Sequence, residues 1–155
     1  MILVTVGTEK FQFNRLIRAV DEYCGLNKRQ AFIQTGSSSY KPNNCEWSKF
    51  LNYREMQEMI NAASVIVAHA GAGTLLSCIS NKKVPLVAPR LSRFGEHVDD
   101  HQVDFAYLME EKGLAQVINP EDIFTRLAEM ELIGKPSLSS RNANLVDYLF
   151  DITNS

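Results

Sequence analysis

Apolar residues fall into short unbroken runs, separated by stretches in which they recur every three or four positions. Ile2 to Val6, Ala31 to Gln34, Val65 to Ala68, Pro85 to Ala88 and Ala115 to Ile118 are runs of the first kind. Continuous rather than alternating hydrophobicity fits strands buried on both faces of a parallel sheet. Glu46 to Leu51 reads as one further short strand, after a polar loop from Ser37 to Asn44 that holds Pro42. Helical spacing appears from about Phe13 to Cys24 through Leu16, Ile17 and Val20, and from Arg54 to Ala63 through Met56, Met59 and Ile60. Thr74 to Asn81 and Asp99 to Lys112 complete the central helices, and Asn119-Pro120 starts another with an N-cap residue and a first-turn proline. The last helix, Leu138 to Phe150, carries Leu145, Val146, Leu149 and Phe150, wider than one stripe. It serves either the core or the docking of a partner.

Strands alternating with helices predict right-handed crossovers, a mainly parallel sheet and helices on both faces. The fold class is therefore α/β, a Rossmann-like three-layer domain, spanning residues 1–155 without repeat or linker. Ligands of such sheets lie beyond the carboxyl ends of the strands. Gly7-Thr8, Thr35-Gly36, His69-Ala70-Gly71 and Pro89-Arg90 all fall at such ends and make one rim.

The densest of these turns is Ser64 to Ser77, where a buried strand runs into His69, the small residues Ala70-Gly71-Ala72-Gly73, and the helix from Thr74. A helix start leaves about four N–H groups unpaired and carries roughly half a positive charge, which favours an anion. The sequence thus offers a phosphate cradle. A glycine pair also serves close packing of a helix on a sheet, and that reading stays open. A dinucleotide fingerprint fits poorly, since Leu76 stands where its third glycine belongs and the turn lies mid-chain.

Composition narrows the class. A chain of 155 residues, 45% hydrophobic and 22% charged, suffices for one soluble domain with a substantial core. A net charge of −2 argues against a dedicated nucleic-acid binder. No run approaches the roughly 20 apolar residues of a membrane span, and Met1 leads directly into the first strand, so no signal peptide is expected. Cys24, Cys45 and Cys78 are three and far apart, as for reduced, mostly buried thiols of the cytoplasm rather than a disulfide framework or a zinc site.

A second cluster runs from Pro89 to Gln102. His97 and His101 are four apart, which a helix would place on one face beside Glu96 and Asp100. Three readings compete: a metal site, for which no further ligand of matching spacing appears; a helix start whose dipole Asp99 or Asp100 stabilises; and a set of donors and acceptors gripping hydroxyls of a polar substrate. Arg90 and Arg93 are suited to phosphate oxygens, or are solvated loop charges.

With H-A-G-A-G-T and G-E-H-V-D-D-H-Q both on view, the sequence resembles the C-terminal, nucleotide-sugar-binding domain of glycosyltransferase family 28. T-V-G-T at Thr5 to Thr8, Q-T-G at Gln34 to Gly36 and P-R at Pro89-Arg90 extend the likeness over residues 1 to about 130. It is nearest to the stand-alone small subunits of two-part enzymes, of the bacterial exopolysaccharide type and of the dolichol-pathway N-acetylglucosaminyltransferase type. The resemblance implies half of a GT-B enzyme. It implies a UDP-sugar donor, a lipid-diphosphate-linked acceptor, no cofactor and no metal. The acceptor-binding half would be a separate membrane-associated subunit that holds this chain at the inner face of the membrane.

Position by position, the resemblance assigns the donor diphosphate to Gly71, Ala72, Gly73 and Thr74 with help from His69. It puts Gly7 and Thr8 at the glycine-rich first turn, Thr35 and Gly36 on the same rim, uracil on the backbone at Leu51, and sugar hydroxyls on Gln102. Arg90 is expected beside the phosphates. Ser77 stands where many relatives carry a ribose-gripping glutamate, a departure that weakens the ribose contact. Glu96, His97 and Asp99 are the candidates for the base that deprotonates the acceptor. The expected reaction is hexosyl or N-acetylhexosaminyl transfer. A non-catalytic UDP-sugar-binding regulatory subunit and a sugar-nucleotide epimerase are the alternatives.

Overall fold

The computed structural model describes residues 1–133, and the helix expected over Leu138 to Phe150 lies outside them. Six parallel strands form one sheet: β1 (Ile2–Thr5), β2 (Ala31–Gln34), β3 (Glu46–Ser48), β4 (Val65–His69), β5 (Leu86–Ala88) and β6 (Gln116–Val117). Their order across the sheet is β3-β2-β1-β4-β5-β6. The helices are α1 (Asn14–Asn27), α2 (Tyr53–Ala62), α3 (Ala72–Ser80), α4 (His101–Glu111) and α5 (Ile123–Ile133).

The unbroken apolar runs are explained by two covered faces. Ile2 and Val4 of β1 pack with Leu16, Ile17 and Val20 of α1 and with Ile123 and Leu127 of α5. Leu3 between them points the other way, into a cluster with Ile60 of α2 and Cys78 of α3. β4 and β5 alternate likewise: Val67 and Leu86 join the α1 side, whereas Ile66 and Val87 face the opposite layer. With a side-chain period of two and apolar cover on both sides, the inner strands are apolar throughout except at their carboxyl ends, where Thr5, Gln34 and His69 are buried.

Two boundaries differ from the sequence reading in ways that matter. β3 stops at Ser48 instead of Leu51, which frees Lys49 to Asn52 as a loop. Asn52 then caps α2: its side chain accepts from Glu55 N–H at 2.9 Å while the Glu55 carboxylate accepts from Asn52 N–H at 2.8 Å. This reciprocal pair fixes where the loop ends. Secondly, α4 begins only at His101, so His97 lies outside it and the two histidines do not share a helix face.

The crossovers put β1 and β4 side by side at the centre, where the chain's direction of travel across the sheet reverses. Such a switch point leaves a crevice between the two carboxyl ends. Here those ends are Gly7-Thr8 and His69-Ala70-Gly71.

Candidate functional site

At the switch point lies a cleft of about 410 Å³, whose floor includes Gly7 and His69 and whose walls include Thr8, Leu51 and the stretch Gly71 to Thr74. α3 starts at Ala72, two residues earlier than its apolar pattern suggests, so Ala72, Gly73 and Thr74 form the helix's own first turn. Its first internal bond is Leu75 N–H to the Gly71 carbonyl at 3.0 Å. Gly71 provides no side-chain cap and the first turn holds no acid. Ala72 and Gly73 are exposed. The N–H groups of one turn, with their share of the helix dipole, therefore open into the cleft.

The two glycines of this turn have different jobs. A Cβ on Gly73 would meet nothing within 4 Å, so its backbone is open to a ligand. A Cβ on Gly71 would stand 2.2 Å from His69 Nε2, and one on Gly7 would stand 2.6 Å from the same ring. The imidazole thus lies between two glycine backbones, and Gly7 also has φ +75°, a left-handed value that favours glycine. The group that approaches Gly71 closely is the protein's own histidine.

His69 is buried, and its Nδ1 lies 3.4 Å from the Thr5 carbonyl. A carbonyl only accepts, so Nδ1 carries the proton and Nε2 keeps its lone pair. Burial, reinforced by the nearby Arg90 charge, lowers its pKa to about 4. At neutral pH the ring is uncharged. It shapes the cleft floor and adds no positive charge for a diphosphate.

Gln34 holds the first turn. Its buried carboxamide oxygen accepts from Thr5 Oγ1 at 2.7 Å and from the N–H groups of Val6 and Gly7, both at 3.1 Å. Its NH2 group donates to the carbonyls of Gly7 at 2.9 Å and Lys49 at 2.8 Å. One side chain ties the ends of β1, β2 and β3 together. The Q-T-G motif pointed to this strand end, but to its neighbours. Thr35 and Gly36 are buried, and their N–H groups bond to the Ser48 and Lys49 carbonyls. At Gly36, with φ +55°, a Cβ would meet the Gly7 carbonyl at 2.6 Å. They support the turn and, unlike Gln34, do not line the cleft.

Arg90 also departs from expectation. Its guanidinium is fully buried over the Phe13 ring and donates to four backbone carbonyls, those of Phe11, Gln12, Glu96 and Val6. It braces the loop that follows β1 and has no free fork for a phosphate. Gln102 backs this turn: its carboxamide oxygen accepts from Arg90 N–H at 3.1 Å, while its NH2 has no partner among the described residues.

The three candidate bases do not converge on the cleft either. Glu96 is buried, paired to Arg15 at 3.0 Å and accepting from Leu91 N–H at 3.1 Å, so its carboxylate faces the framework and not the cleft. His97 rests against Phe11, with ring centroids 5.5 Å apart. Asp99 lies 3.4 Å from His97 Nδ1 and 3.2 Å from His101 Nδ1, and the hydrogen bond from His101 N–H, aided by both imidazoles, lowers its pKa. Among the described residues no group of three or more His, Cys, Asp or Glu is placed to share an ion. Glu9, Asn52 and Tyr53 line the cleft although no motif marked them. Ser77 lies one turn inside α3, outside that lining.

A doubly wound sheet with an uncapped helix start at its switch point defines a nucleotide-binding domain, the kind that forms one half of a GT-B enzyme. The model of the glycosyltransferase family 28 C-terminal domain matches residues 1–145, and the chain belongs to that family. No curated protein matches it. Among solved structures, the glycotransferase of kitacinnamycin aligns at 20% identity and TM-score 0.65, over 97% of this chain and 39% of that one. The glycosyltransferase VinC, solved in complex with dTDP, aligns at 18% identity and TM-score 0.59, over 97% and 37%. MurG of Acinetobacter baumannii aligns at 18% and 0.53, over 97% and 49%. These likenesses show the fold, a single parallel sheet corresponding to one half of a GT-B glycosyltransferase. The chain spans less than half the length of each.

Proposed function

We propose that this chain is the donor-binding part of a UDP-sugar-dependent glycosyltransferase, moving a hexose or N-acetylhexosamine onto a lipid-diphosphate-linked saccharide. The observation that carries the reading is the open first turn of α3 above the β1/β4 switch point, in a chain of this family. Departure of UDP places growing negative charge on the diphosphate. N–H groups already oriented toward that position stabilise it without reorganisation, and each such donor is worth ~3 kcal/mol of barrier. The loop at Leu51, fixed by the Asn52–Glu55 cap, supplies main-chain groups for the base. The NH2 of Gln102 is the donor for sugar hydroxyls. His69 and Gln34 position the floor without touching charge.

One domain has a rim but no facing wall to exclude water. In this reading a membrane-associated subunit supplies that wall, the acceptor and, unless His97 with Asp99 provides it, the base. No helix among the described residues is long and apolar enough to cross a membrane; in this reading the attachment runs through the partner.

Calorimetry with UDP and then a panel of UDP-sugars tests the assignment. One-to-one binding, lost when the α3 turn is altered, supports it; nucleotide bound elsewhere on the protein, or none bound, rejects it. Transferase activity that appears only when chain and partner are mixed separates the catalytic role from a regulatory one.

A further inference from the structure

Two of the three cysteines meet away from the cleft, in a part of the fold that the nucleotide chemistry does not use. Cys24 sits near the end of α1, buried, and Cys45 lies half-buried immediately before β3. The segment that carries Cys45 is clasped to α1. Asp21 of α1 accepts from Tyr40 OH at 2.8 Å, Asn43 N–H at 3.0 Å and Asn44 N–H at 2.9 Å. Asn44 presses on Gly25 so closely that a Cβ there would stand 2.6 Å from its side chain. Cys45 packs against the cluster that contains Cys24. The residues that flank the two thiols touch, Asn44 meeting Gly25, so Cys24 and Cys45 stand on facing segments held together by Asp21. Cys78 is buried on the opposite face of the sheet.

We infer that Cys24 and Cys45 form a reversible dithiol–disulfide pair that locks the β2–β3 segment onto α1. The oxidant is a small-molecule disulfide such as glutathione disulfide. Cys45, the more exposed, attacks it through the small fraction present as thiolate and forms a mixed disulfide, releasing one glutathione thiolate. This step is slow, because the Cys24 thiol, burial and the nearby Asp21 raise the Cys45 pKa. Cys24 thiolate then attacks the Cys45 sulfur, the protein S–S bond forms, and a second glutathione thiolate leaves. Two protein thiols lose two protons and two electrons, and one glutathione disulfide becomes two thiols. The clasp at Asp21 keeps the two segments together before oxidation, so the cost of closing the loop is already met by the fold. The same clasp makes the pair intramolecular.

The whole chain is incubated in glutathione buffers of increasing oxidised fraction, quenched with an alkylating agent and digested. The expected product is a Cys24–Cys45 cross-linked peptide with Cys78 still alkylated, and it reverts on reduction. The oxidised protein should melt about 5–10 °C higher, with slower amide exchange at residues 40–45. Cys24→Ser should stop at a glutathione adduct on Cys45, and Cys45→Ser should give no cross-link and no rise in melting temperature. A stable adduct on Cys45 of the unaltered chain, a cross-link between two molecules, or all three thiols still alkylated at the most oxidising ratio overturns the inference. UDP titration of the same oxidised sample leaves the nucleotide assignment separately tested.

Discussion

Replacing Ala72 by proline removes one N–H from the mouth of the cleft and little else. The residue is the first of α3, a position where proline's fixed φ suits a helix and its missing N–H breaks no internal bond. The preceding Gly71 has φ −87° and ψ 132°, the extended conformation that a residue before proline prefers. Ala72 is exposed, so the ring meets water rather than core. Unfolding temperature should therefore stay level or rise slightly. A hydrogen bond to a charged group contributes about 1.5–3 kcal/mol, which predicts UDP affinity weaker by roughly 10- to 150-fold. Gly73→Pro is the poorer experiment, because it would push Ala72 out of its helical conformation.

Gly73→Ala supplies the companion measurement, with effects of opposite sign. A Cβ there touches nothing in the free protein, and alanine in a helix gains up to about 0.5–1 kcal/mol over glycine. A diphosphate laid against that backbone would meet the new methyl group. Calorimetry with UDP and thermal scans of both variants should thus show weaker binding by protein that is no less stable. Undiminished UDP affinity in Ala72→Pro, with its melting temperature intact, would refute the placement of the diphosphate on this turn.

Gly71→Ala should destabilise by about 1–3 kcal/mol through the clash with the His69 ring, and far less in a His69→Ala background; denaturant titration of the double-mutant cycle reads the difference. Stability should also fall on mild acidification. His69 is held near pKa 4 while an unfolded histidine titrates near 6.5, so the unfolded chain binds the extra proton between those values. Folding free energy is then full above pH 6.5 and loses on the order of 3 kcal/mol by pH 4, a slope that His69→Gln should flatten in chemical denaturation across that window. Arg90→Lys should cost about 1–3 kcal/mol for each backbone carbonyl, among those of Val6, Phe11 and Glu96, left without its buried donor; a variant of unchanged stability would return Arg90 to the ligand.

How far the sequence could be read follows from which interactions are local. Strands covered on both faces write themselves as apolar runs, so β1, β2, β4 and β5 are found within a residue or two of where they lie. The position of the cleft follows in turn, since topology alone sets the switch point. Boundaries fixed by long-range partners are another matter. Past the end of β3 the Lys49 carbonyl accepts from both Gln34 Nε2 and Gly36 N–H, partners distant in the chain that no local pattern announces. α4 starts late for a local reason: Asp99 accepts the His101 N–H two residues on, an Asx-type turn that competes with the helix.

Side-chain roles were least legible where a polar residue turns inward. Arg90 and Glu96 look like ligand and base, being charged residues in a polar motif, yet both are buried and share the task of holding the loop after β1. Arg90 takes the carbonyls of Val6, Phe11 and Gln12, and Glu96 takes Arg15 from α1. Charge this deep in a protein is held by framework partners: both terminal nitrogens of Arg90 are spent on backbone carbonyls and only its buried Nε is unpaired, so the guanidinium presents no open fork to a substrate. The same logic separates Gln34 from Gln102. All five of Gln34's bonds stay within the framework, whereas Gln102 binds the framework with its oxygen alone and keeps a donor in reserve. A residue half engaged, as Gln102 is beside the Arg90 turn, is the better candidate for recognising a sugar, and a fully engaged one is the better candidate for keeping the site in shape.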